Sequence, residues 1–378
     1  MTQPIKIGII GYRGFGAFCT DAFHSTGRAR VVAFAGRDQV AMAACAEQYD
    51  VPFTFTNWQE LVDCPDVELV HIVTPPDMHA EMAIAAINAG KHVLIEKPMA
   101  TSTADAARIL EAVNAHPECI VGVNYVMRYN PLYALVSALT KSGCLGKLTH
   151  VSFQNYASDE GLGDDHWFWK PEEAGGIFIE HGVHFFDIVG SIIDSPPTTV
   201  FGQTWNRTDA TGKEDRVQAN VTYKSGATAT YYHAFNRPGL LEKQLIHFAF
   251  ELGHIDLAGW NPNSMTLESI GNDDQMGTLR GLIANVDIAP LNSGNGSVRG
   301  NGIDHSVELR ATATVDVGDQ GALYSREVGD ALVDILDKIG DPGNHTLRVT
   351  TSDGALSLAV AVAAARSAAS GRIENVNH

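Results

Sequence analysis

Between Ile5 and Val123, short apolar runs alternate with longer amphipathic or alanine-rich stretches. Short apolar runs bounded by turn residues fit strands buried on both faces, and the longer stretches fit helices, so the alternation predicts βαβ units around a parallel sheet. The predicted strands are 5–10, 30–35, 69–74, 92–95 and 120–124; the predicted helices are 16–25, 39–49, 77–89 and 102–115. Past Tyr125 the texture changes. Residues 147–157, 199–206, 216–223, 227–235 and 244–252 are rich in Val, Thr, Tyr and Phe, with Lys224-Ser225-Gly226 as a hairpin turn. That pattern predicts an antiparallel sheet. Residues 190–197 are predicted as a loop, and 291–302, rich in Asn, Gly and Ser, as a mobile surface insertion. Two late helices are expected at 320–339 and 352–371, the second capped by Thr351 or Ser352.

The chain has 378 residues, 45% of them hydrophobic. One core stops growing at roughly 250–300 residues, so two domains are expected, 1–124 and 125–378. Acidic residues outnumber basic ones 44 to 26, giving a net charge of −18, and no Lys/Arg cluster forms a phosphate-binding stripe. This argues against nucleic acid or an anionic membrane as partner. The five cysteines, Cys19, Cys45, Cys64, Cys119 and Cys144, lack C-x-x-C spacing and are odd in number, which fits reduced structural thiols. No secretory pattern opens the chain and no stretch approaches the ~20 apolar residues of a membrane helix, so a cytoplasmic location is expected.

The first strand runs into Gly11-Tyr12-Arg13-Gly14-Phe15-Gly16 and then a helix. In this setting glycines let backbone amides approach a dinucleotide pyrophosphate at a helix N-terminus. The register departs from G-x-G-x-x-G, with Arg13 at the second position and the extra glycine at Gly14. Arg13 is then free to reach a phosphate oxygen; an ordinary glycine turn is the alternative. The second strand ends in Ala35-Gly36-Arg37-Asp38, where Gly36 replaces the usual acid and Arg37 can pair with a ribose 2′-phosphate. NADP is slightly favoured, and Asp38 keeps NAD open.

Further on the chain reads Val73-Thr74-Pro75-Pro76-Asp77-Met78-His79, then Ala89-Gly90-Lys91-His92-Val93-Leu94-Ile95-Glu96-Lys97-Pro98. In order and spacing these segments resemble the glucose-fructose oxidoreductase/inositol dehydrogenase/MocA (Gfo/Idh/MocA) family. The resemblance continues through Gly146-Lys147, the stretch from Gly175-Gly176 to Asp187, and the alanine-rich terminal helix. It implies an α/β protein, with an N-terminal Rossmann dinucleotide-binding domain and a C-terminal α+β domain holding a large open, mainly antiparallel sheet. It also implies that Lys97 lies beside nicotinamide and substrate, that Thr74, Pro75, Pro76, His79 and Glu96 lie along the cofactor, and that the chain forms a homo-dimer or homo-tetramer. Elementary topology supports the place of Lys97, since a residue ending a buried parallel strand emerges at the carboxyl edge, where ligands bind. Pro98 is a candidate for a cis bond.

The segment from Gly175 to Asp187 reads as a helix on which Glu180, His184 and Asp187, at i, i+4 and i+7, share a face with His181 close by. In the family an acid stands four places before the catalytic histidine; here it is Glu180. Lys97 and His184 are expected to share the proton work, with Glu180 orienting the imidazole or binding a hydroxyl, and with His181 and Asp187 binding substrate. The same side chains form a possible metal-ligand set. The family match makes a metal unnecessary, and none is expected; a polar face satisfied against the other domain is the remaining alternative. Trp167 and Trp169, among Asp, His and Lys, suit a carbohydrate or serve as apolar anchors. Tyr125 and Arg128, at the domain junction, are further substrate candidates. The expected function is NAD(P)-dependent hydride transfer to or from a sugar, an inositol-like polyol or a derivative. An NAD-retaining glycoside hydrolase or lyase working by transient oxidation, and a cofactor-sensing regulator, are the alternatives.

Overall fold

The computed structural model describes residues 3–209, 211–291, 297–300 and 302–377. The alternating first part forms β1 (Ile5–Ile10), α1 (Phe15–Ser25), β2 (Ala29–Ala35), α2 (Gln39–Tyr49), β3 (Phe53–Phe55), α3 (Trp58–Val62), β4 (Leu69–Ile72), α4 (His79–Asn88), β5 (His92–Ile95), α5 (Thr103–Ala115) and β6 (Val121–Val123). The six strands pair in parallel in the order β3-β2-β1-β4-β5-β6, a doubly wound Rossmann sheet. Ile7, Ile9, Phe34, Leu69, Ile72 and Val93 are fully buried because helices cover both faces. The winding reverses between β1 and β4, so the carboxyl ends of these strands frame the ligand crevice. The edge strand β3 has only three residues and leaves Phe53 exposed, too short a run for a period to show in the sequence.

The second part comprises α6 (Pro131–Ser142), β7 (Leu148–Ser158), α7 (Pro171–Ala174), α8 (Val183–Ile193), β8 (Pro197–Asn206), β9 (Glu214–Tyr223), β10 (Thr228–Arg237), β11 (Lys243–Phe250), β12 (Gly253–Ala258), β13 (Ser264–Gly271), α9 (Asp273–Leu282), β14 (Val286–Pro290), β15 (Ser297–Gly300), β16 (Ile303–Ser306), β17 (Leu309–Asp316), α10 (Gln320–Gly340), α11 (Thr351–Ser370) and β18 (Glu374–Asn375). Ten of its strands form one sheet, β14-β17-β13-β12-β11-β7-β10-β9-β8-β18, antiparallel throughout except between β7 and β10. Alternate residues of β9 and β10 are buried, Phe185 and Phe186 of α8 pack on His233 and Tyr231 of β10, and α11 lies against β8. The alanine-rich α11 approaches the sheet closely, with Ala359, Ala361, Ala363 and Ala364 on its buried side. Helix α10 returns to the first part, where Val328, Leu332 and Ile335 share a core with Ile9, Phe23 and Phe34.

Four expectations change. The segment 190–197 is not a loop over its whole length: α8 runs on to Ile193 because Ile192 and Ile193 are buried, and only 194–196 separate it from β8. Within 291–302, residues 292–296 and 301 lie outside the described residues, and β15 pairs with β16 as a two-stranded ribbon. The run Pro171–Ile193 is long and apolar enough by composition to cross a membrane, yet 67% of its most apolar window is buried within the fold. Thr350, one residue before the expected caps, closes the start of α11 in a reciprocal capping box with Asp353.

Helix α10 buries one carboxyl at a cost. Glu327 is fully buried and neither of its oxygens makes a well-formed hydrogen bond, although the Asn130 and Asn261 amides are near enough to oppose the effect. Burial pushes its pKa from the ordinary 4.5 up to about 8. A raised folded-state pKa means that its contribution to stability is complete below the ordinary value and is lost as pH rises through about 8. Glu327→Gln is therefore expected to raise the melting temperature by several degrees at about pH 8.5 and to leave it unchanged near pH 4, as read by thermal unfolding at both values.

Candidate active site

The glycine turn between β1 and α1 is a tight cradle. Gly11 has φ +100°, and a Cβ on it would stand 2.1 Å from the Val73 carbonyl oxygen, so the turn packs backbone to backbone on the segment after β4. No side chain caps α1, which leaves the amides of its first turn available to an anion. Gly14 faces open space. Arg13 pairs with Asp38, which also accepts from the Ala41 amide and so caps α2. The Tyr12 hydroxyl donates to the Asp38 carbonyl at 2.9 Å and its ring lies against Gly36. Arg37 is exposed and takes part in no ion pair among the described residues. This donor set and cradle fit the pyrophosphate and adenosine end of a dinucleotide.

At the end of β5, Glu96 and Lys97 enter the crevice, and the Lys97–Pro98 peptide is cis. Glu96 Oε1 accepts from Asn124 Nδ2 at 2.6 Å and from His71 Nε2 at 2.9 Å. Lys97 Nζ donates to Glu180 Oε1 at 2.6 Å and to the Glu180 carbonyl at 3.1 Å. His79 is buried beneath the crevice, with one ring nitrogen 2.7 Å from the Pro98 carbonyl and the other 2.8 Å from that of Thr74. It braces two loops from below.

Glu180 reaches Lys97 through an irregular stretch of chain. Gly175 and Gly176 both have left-handed φ, +79° and +87°, and end α7. A π-helical turn over Phe178–Gly182 then leads into α8. The extra residue in that turn breaks the expected helical phase. Glu180, His181 and His184 line a cavity of about 650 Å³ with Gly14, Thr74 and Lys97, whereas Asp187 rotates out of it. The His184 Nδ1 atom is buried with no partner. Burial first, then the Lys97 charge, holds the His184 pKa well below 6.5, and the same two causes bring His181 down to about 3. Both imidazoles are neutral at ordinary pH.

Arg13, Phe15, Pro75, Pro76, Glu96 and Trp167 also line this cavity. Tyr125, Arg128, Asp187 and Trp169 do not. Tyr125 is buried, shares a 2.6 Å hydroxyl contact with Ser357, and sets its ring edge-on to His184. Arg128 grips both oxygens of Asp187, at 2.6 and 2.7 Å, and reaches Asp353 at 3.4 Å. Trp169 donates to the Leu162 carbonyl and lies under the Arg207 guanidinium at 4.4 Å. The sequence reading missed Tyr324, which arrives from α10 and stacks on Phe18, and the buried His71 and Asn124 behind Glu96. Nothing in local spacing marks Tyr324, whereas His71 and Asn124, polar positions in apolar strand runs, were a readable signal.

Asp187 is buried, and that burial pushes its carboxyl up to about 6 against the pull of Arg128. If the pair is a strut, Asp187→Ala strands the Arg128 charge and lowers unfolding stability by about 3–5 kcal/mol in a denaturant titration. Unchanged stability with impaired ligand binding would make Asp187 a ligand contact instead.

Comparisons with known proteins agree with this architecture. Residues 5–125 match an oxidoreductase family described by its NAD-binding Rossmann fold, and residues 133–250 match the Gfo/Idh/MocA C-terminal domain. A dTDP-3,4-didehydro-2,6-dideoxy-alpha-D-glucose 3-reductase of Saccharopolyspora spinosa is 29% identical over 49% of this chain and 54% of its own. A 1,5-anhydro-D-fructose reductase of Ensifer adhaerens is 29% identical over 51% and 58%. The chain thus spans little more than half the length of these curated relatives. An oxidoreductase domain protein from Kribbella flavida superposes with a TM-score of 0.81 over the full length of both chains at 21% identity. With a parallel sheet and glycine cradle in the first match and the open sheet carrying α8 in the second, the chain belongs to the Gfo/Idh/MocA oxidoreductase family.

Proposed function

We propose that the chain is an NAD(P)-dependent dehydrogenase or reductase acting on a CH–OH carbon of a sugar, a polyol or a derivative. The observation that carries this reading is a single cavity, continuous with the glycine cradle, that holds the Lys97–Glu180 ion pair beside the unpartnered, neutral His184. When bound, the nicotinamide ring supplies the hydride acceptor or donor. The chain's own residues do the rest. The amides of the glycine turn hold the pyrophosphate, and Glu96, fixed by His71 and Asn124, faces the cofactor side of the cavity. Lys97, already bonded to a carboxylate, serves as a hydrogen-bond donor to the substrate oxygen. His184 takes the hydroxyl proton in oxidation and returns it in reduction, and the low-dielectric surroundings strengthen each of these contacts. Glu180 orients Lys97.

Trp167 and His166, lining the cavity together with Lys97, Glu180 and His184, suit a small hydroxylated ring. The relatives named above are sugar reductases, which favours the same class. The unpaired Arg37 supports NADP over NAD.

A panel of sugars and polyols with NAD⁺ and NADP⁺, followed by nicotinamide absorbance, is expected to yield a substrate with the lower KM for NADP⁺. Lys97→Met is expected to lower kcat roughly a hundredfold or more while cofactor binding, read by fluorescence, persists. Absence of any absorbance change across the panel, with cofactor firmly retained, would overturn net dehydrogenation in favour of transient oxidation.

The proton role of His184 has its own test. Since its pKa is held well below 6.5, the base form persists into acid, and kcat/KM for alcohol oxidation is expected to stay level from about pH 8 to about pH 6. A rate that instead falls tenfold per unit below an ordinary histidine midpoint would remove His184 as the base.

A further inference from the structure

His181 lines the cavity, yet the proposed proton transfer does not use it. Its surroundings constrain it closely. Asn155 on β7 is fully buried and stands opposite Gln244 of β11 in the strand register. Gln244 Nε2 donates to Asn155 Oδ1, so the Asn155 amide directs its Nδ2 group at His181 Nε2, 3.1 Å away. An amide nitrogen only donates. His181 Nε2 must therefore be the accepting nitrogen, and in a neutral imidazole the single ring proton then sits on Nδ1. That atom lies 4.0 Å from Glu180 Oε2, beyond hydrogen-bond distance, while Glu180 Oε1 is taken by Lys97.

We propose that the Gln244–Asn155 pair fixes the tautomer of His181, and that His181 is a positioning residue whose Nδ1–H dipole faces the second oxygen of Glu180 and disfavours its turning toward His184. The effect is a division of partners: Glu180 serves Lys97, and the His184 ring nitrogen stays free for a substrate hydroxyl. The groups facing His181 are consistent with a permanently neutral ring. Lys97 and Glu180 lie on one side, the neutral His184 and His233 rings stand 6.2 and 5.6 Å away, and Phe185 and Phe235 close the remainder. A group fixed in one tautomer and one charge state is suited to holding a carboxylate in place over a wide pH range.

The turnover arm of the test rests on the dehydrogenase reading; the tautomer arm does not. Side-chain ¹⁵N NMR of the full chain, with His181→Phe to assign the resonance, is expected to show His181 protonated at Nδ1 and unprotonated at Nε2, unchanged from about pH 5.5 to about pH 8. Protonation at Nε2 overturns the inference whatever the enzyme turns over. In turnover, His181→Phe frees Glu180 to pair with the His184 imidazolium, so the acid limb of kcat/KM moves to higher pH and the rate near pH 6 falls roughly ten- to hundredfold, with less loss near pH 9. His181→Asn, whose amide N–H occupies the place of Nδ1–H, is expected to recover most of that loss. A wild-type pH profile in His181→Phe overturns the positioning role, and a folding defect in one variant leaves the tautomer measurement on the unaltered chain to decide. If no substrate in the panel turns over, the dehydrogenase reading fails and the tautomer result still stands or falls alone.

Discussion

The Lys97–Glu180 ion pair is the contact on which the candidate site depends, because it fastens the carboxyl edge of the parallel sheet to the turn that begins α8. An exposed pair of this kind contributes about 0–1 kcal/mol, whereas a buried pair that loses one partner leaves a charge that water no longer stabilises. Here Lys97 is 16% exposed and Glu180 only 9%. The two charges have little choice but each other. Their meeting requires the left-handed glycines 175 and 176 and the π-helical turn after them, since a regular helix from Ile177 onward would aim Glu180 elsewhere.

Around this pair the protein keeps its histidines uncharged. His181, His184 and His233 all lie where burial and neighbouring groups disfavour the imidazolium. The low-dielectric space that imposes this condition also makes each remaining dipole and charge effective over a short range. A neutral base beside a fixed ammonium is a combination that water would scramble, and it persists here because the cavity walls, from Phe15 to Trp167 and Tyr324, are largely apolar.

A second group of buried polar contacts joins segments far apart in the chain. Arg128 joins α8 to the start of α11 through Asp187 and Asp353; Tyr129 reaches Asp334 on α10, which also receives His345; and Tyr125 meets Ser357. Each contact ties the segment that leaves β6, or its immediate neighbours, to helices far along the chain. Polar residues just after the last parallel strand look like ligand contacts in a linear sequence, and here they pair with groups that lie more than 50 positions away.

The sequence by itself determined the parallel βαβ rhythm, the glycine turn, the Glu96-Lys97-Pro98 strand end, the antiparallel texture after Tyr125 and the close spacing of Glu180, His181 and His184. All of these are local, set by hydrophobic period, turn residues and neighbours a few positions apart. Tertiary structure alone decided what period cannot encode. The π-helical turn separated Asp187 from Glu180, the apolar tail of α8 absorbed an expected loop, and α10 carried Tyr324 some 300 residues to the cofactor crevice. The partners of Tyr125, Arg128, Asp187 and Trp169 were settled in the same way, because a buried polar group takes whichever partner the folded chain brings within reach, and sequence distance says nothing of that.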